Sequence, residues 1–460
     1  MEKTENTASA KRSSFSGKIG YVLAAAGSAV GLGNIWRFPY LAAKYGGGSF
    51  LVVYLVLTLT FGYTMIMSES ALGRLTKKSP VGAFKHFSDS KASKLGGWIN
   101  AIIPLLIVPY YSVIGGWVFK YLFEYIRGDV QVIASEEYFG NFIGNAGSVV
   151  FWFMLFAAAT MIIIFAGVEN GVEKVSKCMM PILIVLAVIV ASYSVTRPGA
   201  IEGVKYFFIP NIHNFSWMTV VAALGQMFYS LSIAMGILYT FGSYMKKDFD
   251  IEKATGQVEL FDTGIAILAG LMIIPAVFAF SGGTPEALGK GPSLMFVTLP
   301  QVFASMGAGR GAGIVFFMLV LFAAVTSSVA LAESCVSTFQ DEFKWSRNKA
   351  AVFMLVILFG LGVLSCLGFN LLSSVTPLGM DILSFFDFMT NSVMMPIAAA
   401  ATCLLILRVT KIETVEEEIR QSSEFKRYAI YRFVLKYLAI LFLAVILFSS
   451  IADALGIIKI

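Results

Sequence analysis

Gly27–Pro39 reads GSAVGLGNIWRFP, and this short segment governs how the rest of the chain is read. It lies inside an apolar run from about residue 19 to residue 43. Such a run can cross a bilayer, which takes about 20 residues at about 1.5 Å of rise each. Its middle makes a poor helix. Gly31 and Gly33 bracket Leu32, Asn34 follows, and Arg37 stands just before Phe38 and Pro39. Glycine loosens a helix interior and proline removes a backbone donor. Broken backbone at membrane depth persists only where it lines a cavity or is buried in protein, and an arginine there needs a partner. The segment therefore reads as a discontinuous helix whose loose carbonyl and N–H groups hold a ligand. A glycine-rich packing face is the competing reading; Asn34 and Arg37 favour the site.

The composition around it sets the class. Of 460 residues, 57% are hydrophobic and 13% charged, with a mean hydropathy of +0.79. Soluble domains carry about 25% charged residues, so this is a polytopic membrane protein. The first run is longer than a cleavable secretion signal and is expected to stay in the protein. Cys178, Cys335, Cys366 and Cys403 lie in or beside apolar runs without metal-type spacing and read as small core residues. His86 and His213 fall in loops by hydropathy. With no histidine cluster, Ser/His/Asp set or phosphate loop, the sequence does not read as an enzyme.

Eleven spans are expected, at roughly 19–43, 49–73, 99–126, 148–167, 178–196, 218–244, 258–281, 309–339, 350–370, 380–407 and 428–453. If the N-terminus is cytoplasmic, the tail and the even-numbered loops carry 25 of the 34 Lys and Arg. That asymmetry follows the positive-inside rule and, with an odd span count, places the C-terminus outside. The charged segment 411–427 is expected to be a solvated cytoplasmic helix. The sixth span contains GQMFYSLSIAMG at 225–236, with small and polar residues where a plain helix would carry leucine. Spans one and six lie five apart, and an odd number of helices per repeat inverts the second copy. Paired interrupted helices in corresponding positions point to a transporter site.

Other polar groups stand where lipid would reject them. Glu69 lies in the second span, Asp262 opens the seventh, Thr326, Ser327 and Ser328 interrupt the eighth, and Asp387 lies in the tenth. Each acid could snorkel to the interface, and the hydroxyls could bond back to their own helix; intramembrane acids are more often functional. The oxygen donors Asn34, Ser230, Asp262, Thr326 and Ser327 suit a hard cation. Only one of them is a carboxylate, which fits a monovalent ion better than a divalent one. Half-helix N-termini suit a carboxylate and loose carbonyls suit an amine, and an amino acid has both.

The runs AAAGSAVGLGNIWRFPY at 24–40, GGGSF at 46–50, GQMFYSLSIAMG at 225–236 and AAVTSS at 323–328 resemble the neurotransmitter:sodium symporter family in its bacterial branch, including its tyrosine/tryptophan and hydrophobic amino acid transporters. The resemblance implies an all-α LeuT-type 5+5 inverted repeat with helices one and six unwound at mid-membrane. Its parts would be a cytoplasmic tail 1–18, a first repeat 19–196, a second repeat 197–407, and a connector with the eleventh helix at 408–460. Many family members have a twelfth span, which is not expected here.

The resemblance also implies a set of site residues. One sodium ion would be held by the Ala29 carbonyl, Asn34, Ser230, Asp262 and the substrate carboxylate. A second would be held by the carbonyls of Gly27, Val30 and Ala323 and the hydroxyls of Thr326 and Ser327. The substrate carboxylate would meet the N–H groups of Leu32 and Gly33 and the Tyr111 hydroxyl; its amine would meet carbonyls of Ala29, Tyr229 and Ser230. Ile107, Tyr111, Phe228, Tyr229, Ser232, Met235, Ser327 and Leu331 would surround its side chain. Met235 stands where some relatives carry a bulky aromatic, and methionine packs well on rings, which implies a hydrophobic or aromatic amino acid.

Arg37 and Asp387 would form an outer gate, Arg12, Asp341 and Tyr244 an inner one, and Glu69 would brace the unwound part of the first span. Asp262 would supply the negative charge that chloride gives to other members, so transport should not need chloride. Ala234 replaces a glycine of the sixth-span break. The expected protein is thus a sodium-coupled amino acid importer of the bacterial cytoplasmic membrane, without prosthetic group or nucleic-acid partner. An amino-acid-gated channel or sensor, and the same fold carrying a betaine or another small amine, are the alternatives.

Overall fold

The computed structural model describes residues 14–282, 293–454 and 456–457. Among these residues the regular elements are all helical. Nine helices are long and apolar enough to cross a membrane: Gly48–Thr76, Lys91–Arg127, Ala146–Phe165, Val168–Val195, Ile251–Ser281, Gly309–Phe343, Arg347–Leu367, Ile382–Thr410 and Tyr428–Asp453. A tenth span is the pair Lys18–Ala29 and Gly33–Lys44, bent by 52° at its break. Where the sequence places the sixth span, two shorter helices run, Trp217–Ser230 and Ile237–Tyr244. In chain order these are the eleven expected spans, with the first and sixth interrupted.

Helix ends reach past the apolar stretches. The third span starts at Lys91, where the Ser90 side chain accepts from the Ser93 N–H; the fifth starts at Val168, ten residues before its apolar run. Hydropathy sees only the part in lipid, whereas caps and buried polar contacts let a helix continue beyond it. The third span packs along the eighth and also touches the fourth, ninth and tenth. The second crosses the C-terminal half of the sixth. That crossing is backbone to backbone: a Cβ on Gly73 would strike the Tyr239 carbonyl, and one on Gly242 would strike Ser70. Small residues permit such approach in a membrane.

Three expectations are corrected. Cys178 is exposed, while Cys335, Cys366 and Cys403 are buried. It shares its helix face with the exposed Ile182, Val185 and Ile189, at the three- and four-residue spacing of one outward stripe. His86 sits on a short helix, Pro80–Phe87, rather than in a loop. The connector between spans ten and eleven forms a helix only over Ile412–Arg420, and only one face of it is solvated: Glu413, Glu417 and Arg420 are exposed, while Ile412, Val415, Glu416, Glu418 and Ile419 are buried. Arg74 of the second span, itself buried, donates its Nε to Glu418 at 2.6 Å, and Lys247 joins the same carboxylate at 2.7 Å. The two buried acids of the connector are paired: Glu418 with Arg74 and Lys247, both distant in sequence, and Glu416 with Arg432 at the start of span eleven.

Candidate functional site

In the first span the helix ends at Ala29 and Val30 takes an extended conformation. The next N–H groups find side-chain partners: Gly31 donates to Asn34 Oδ1 at 3.2 Å and Leu32 to the Tyr111 hydroxyl at 3.3 Å. Helical backbone resumes at Gly33 with one wide turn to Arg37, a form often found at functional sites. Gly31 lets the two hydroxyls approach: a Cβ there would lie 2.8 Å from Ser327 Oγ and 3.0 Å from the Tyr111 oxygen, so that the serine hydroxyl would have to shift.

The sixth span breaks between Ser230 and Ile237. Ser232 and Ala234 have φ of 55° and 60°, and Gly236 has 68°. Left-handed backbone is costly for residues with a Cβ. The Ala234 N–H is secured by Glu69 Oε1 at 2.9 Å. This corrects the role expected of Glu69: the hydrogen bond it makes holds the sixth-span break, not the first. Ser232 links the two breaks, its Oγ donating to the Ser28 carbonyl at 3.1 Å.

Two clusters of oxygen atoms flank the breaks. In one, the fully buried Asp262 accepts three hydrogen bonds: from Asn34 Nδ2 at 2.7 Å, Ser230 Oγ at 2.6 Å and the Tyr54 hydroxyl at 2.9 Å. In the other, Ser327 Oγ lies 3.2, 3.1 and 3.3 Å from the carbonyl oxygens of Gly27, Ser28 and Val30. Thr326 Oγ1 donates to the carbonyls of Phe322 and Ala323 at 3.0 and 3.1 Å. This second cluster joins the first span to the eighth at close range; a Cβ on Gly27 would stand 3.2 Å from the Thr326 Cβ. Carbonyl, hydroxyl and carboxylate oxygens with a single acid suit an alkali cation. Ser328 lies outside this cluster and bonds Thr160 at 3.0 Å.

Between the breaks lies a cavity of about 30 Å³, room for only a water or two. Its walls include Ala29, Leu32, Gly33, Ile107, Tyr111, Tyr229, Ser230, Ser232, Met235, Ser327 and Leu331, all expected from the sequence. Ser28, Gly31 and Asn34 line it as well. Phe228 does not. Its ring packs 6.1 Å from that of Phe61, which in turn meets Phe442. One residue along a helix turns the side chain by about 100°, so Tyr229 faces the cavity and Phe228 faces spans two and eleven. Tyr54 and Gln226 complete the polar lining behind the site, Gln226 donating to the Gly33 carbonyl at 3.0 Å.

The outer pair differs from expectation. Arg37 and Asp387 make no ion pair or hydrogen bond with each other in this structure. The Arg37 guanidinium lies over the Tyr229 ring, 5.4 Å from its centre. Asp387 is satisfied from its own side by Asn391 at 2.6 Å and the Tyr110 hydroxyl at 3.1 Å. Of the inner set, Arg12 lies outside the described residues. Asp341 accepts from the Ser79 N–H at 2.6 Å, and the Tyr244 hydroxyl donates to Glu333 at 2.8 Å. Glu333 is buried and paired with Arg347 at 2.6 Å. The sequence reading passed over this pair, although Glu333 is the one acid in the interior of the eighth apolar run.

The chain is similar to known proteins along most of its length. A profile of the sodium:neurotransmitter symporter family matches residues 12–132 and 128–456. An uncharacterized sodium-dependent transporter of Bacillus subtilis, YhdH, is 34% identical over 415 residues, 89% of this chain and 91% of that protein. The human sodium- and chloride-dependent GABA transporter 2 is 27% identical over 463 residues, 89% of this chain and 73% of its own length. The crystal structure of MhsT in complex with L-phenylalanine is 37% identical, superposes with a TM-score of 0.86, and covers 95% of this chain and 100% of the MhsT chain. That structure has the LeuT-type fold. The chain belongs to the sodium:neurotransmitter symporter family, as a multi-pass, sodium-dependent symporter with the LeuT-type fold.

Proposed function

We propose that this protein imports a hydrophobic or aromatic L-amino acid together with sodium, by alternating access and without chloride. The observation that carries the reading is the buried Asp262, held by Asn34, Ser230 and Tyr54 beside the broken first span. A fixed carboxylate there balances a bound cation as chloride would, so a second anion is not needed. MhsT, a similar protein seen with L-phenylalanine, supports an apolar substrate side chain, as does Met235 in the cavity wall.

In this reading one sodium ion sits among Ala29, Asn34, Ser230 and Asp262 and shares the substrate carboxylate, which couples the two solutes. A second sits among Gly27, Val30, Ala323, Thr326 and Ser327 and holds the first span against the eighth. The N–H groups of Leu32 and Gly33 and the Tyr111 hydroxyl receive the substrate carboxylate. The small cavity implies that Met235, Tyr229 and their neighbours move aside on binding. The repeats 19–196 and 197–407 supply the halves that rock, with spans one, two, six and seven moving against the rest. The excess of Lys and Arg on one side supports a cytoplasmic N-terminus in a bacterial inner membrane. Each net charge carried inward gains about 2.3 kcal/mol per 100 mV.

The test is uptake of labelled L-phenylalanine and L-tyrosine into proteoliposomes. Accumulation should require an inward sodium gradient and persist when gluconate replaces chloride. Loss of uptake in gluconate would remove the role given to Asp262. Uptake indifferent to sodium would overturn the coupling, and flux without accumulation would favour the channel reading.

A further inference from the structure

The seventh span carries a second buried acid. Glu259 stands three residues before Asp262 on the helix Ile251–Ser281, hence on the same face and about one turn away. Its side chain is 4% exposed. One carboxylate oxygen accepts from Arg427 Nη2 at 2.9 Å, while Oε1 is buried without a hydrogen-bond partner. Arg427 belongs to the connector at the foot of span eleven. Its guanidinium lies 3.6 Å from the centre of the Tyr63 ring in the second span. The Arg427 backbone N–H donates to Glu252 Oε1 at 3.0 Å, and the Lys426 N–H donates to Oε2 of the same residue at 2.6 Å. The titratable and charged groups facing Glu259 are therefore Arg427 from the connector, Tyr63 from span two, and Glu252 and Asp262 from its own helix.

We infer that Arg427 and Glu259 form a charge-balancing pair that sets the sodium affinity of the site at Asp262. Two carboxylates one turn apart in a dry interior repel, and their combined charge would change what the site binds. Arg427 offsets the outer one, with Glu252 also 3.8 Å from the guanidinium, so that Asp262 is the unpaired charge beside Asn34 and Ser230. The pair is thus a positioning element for the ion site, supplied by a segment that makes no contact with the cavity. It explains why a connector arginine is buried against an intramembrane acid whose other oxygen is unpartnered: the arrangement balances charge rather than satisfying every polar atom. This inference rests on the reading of Asp262 as a sodium ligand.

The experiment is a titration of purified, lipid-reconstituted protein with radiolabelled sodium alone, so that no amino acid has to be identified first. In Glu259→Gln, Arg427 is left as an uncancelled positive charge, and sodium half-saturation should rise by about tenfold or more, the size expected for a unit charge within about 12 Å in an effective dielectric of about 20. In Arg427→Gln, half-saturation should become pH-dependent: tighter at alkaline pH, where Glu259 is ionised, and weaker on acidification as it takes a proton. The double variant should return to the wild-type affinity and pH profile. A double variant whose half-saturation stays as raised as that of Glu259→Gln alone, or an Arg427→Gln that binds sodium more weakly than wild type at alkaline pH, would overturn the inference and leave the pair a structural clamp. Asp262→Asn separates the layers. If it abolishes the titrated site while Glu259→Gln shifts nothing, the charge-balance idea falls alone; if it leaves sodium binding intact, the assignment of Asp262 falls with it.

Discussion

In the first span the chain leaves the helix at Ala29 and re-enters it at Gly33, and Gly31 sits where any side chain would run into Ser327 and Tyr111. In the sixth it turns through Ser232 and Ala234, two residues with side chains held at positive φ. The first break is written into local sequence: glycines weaken the helix and permit close approach. The second is imposed from outside, chiefly by Glu69 reaching across to the Ala234 N–H. The first break follows mainly from its own glycines; the second leans on Glu69, on the positive φ of Gly236 and on the Ser232 bond to the Ser28 carbonyl. Strained backbone survives only where surrounding structure over-determines it, and the sixth span is such a case.

Substitutions can break this contrast at either end. The largest effect is expected from Gly33→Ala, because its Cβ would lie 2.5 Å from Cε1 of Tyr229. Overpacking of this kind costs about 1–3 kcal/mol. At the upper end, sodium-driven uptake in proteoliposomes should fall by about two orders of magnitude; unchanged uptake would make the glycine a mere packing residue. Glu69→Gln keeps the shape and replaces the carboxyl oxygen that accepts from the Ala234 N–H by an amide oxygen, at about 1–1.5 kcal/mol. Uptake should fall about tenfold, and amide hydrogen exchange should quicken over residues 231–236 while staying constant over 30–32. If both segments loosen together, the two breaks are one cooperative unit and the contrast is void.

Ser327→Ala should show the mirror image. It deletes the hydroxyl shared among the carbonyls of Gly27, Ser28 and Val30, a loss of about 1 kcal/mol. Sodium half-saturation should rise about fivefold, with faster exchange confined to residues 27–33. The smallest effect, and the only favourable one, belongs to Ala234→Gly. Left-handed backbone costs a residue with a Cβ about 1–2 kcal/mol, and glycine gives back about 0.5–1 kcal/mol in entropy. The thermal midpoint in detergent should rise slightly with uptake retained. A fall would mean that the alanine methyl contributes packing that outweighs its strain.

Much of the site was legible because lipid makes a simple filter. A polar side chain inside an apolar run is costly wherever its partner lies, so Asn34, Ser230, Asp262, Thr326 and Ser327 announce themselves without tertiary information. Gly31 and Gly33 mark their break for the same local reason. Misreadings cluster where the choice of partner mattered. Glu69 was recognisable as buried but not as the anchor of the sixth span. Arg37 was recognisable as needing compensation but lies over Tyr229 rather than on Asp387. Phe228 matched the pocket pattern and faces away from it, since one residue on a helix decides which side a ring takes.

The connector shows the limit most plainly. Residues 411–427 read as a solvated helix because charge in a loop usually meets water, yet Glu418 is buried on Arg74 and Arg427 reaches Glu259. Burial of those charges depends on cations and acids brought together from more than 150 residues away. By itself the sequence determined the membrane class, the eleven crossings, the two interruptions and the hard-oxygen chemistry, because each follows from local polarity and backbone freedom. Only the tertiary structure decided which acid holds which break and which arginine cancels which acid, because pairing depends on how the helices pack and not on any one helix.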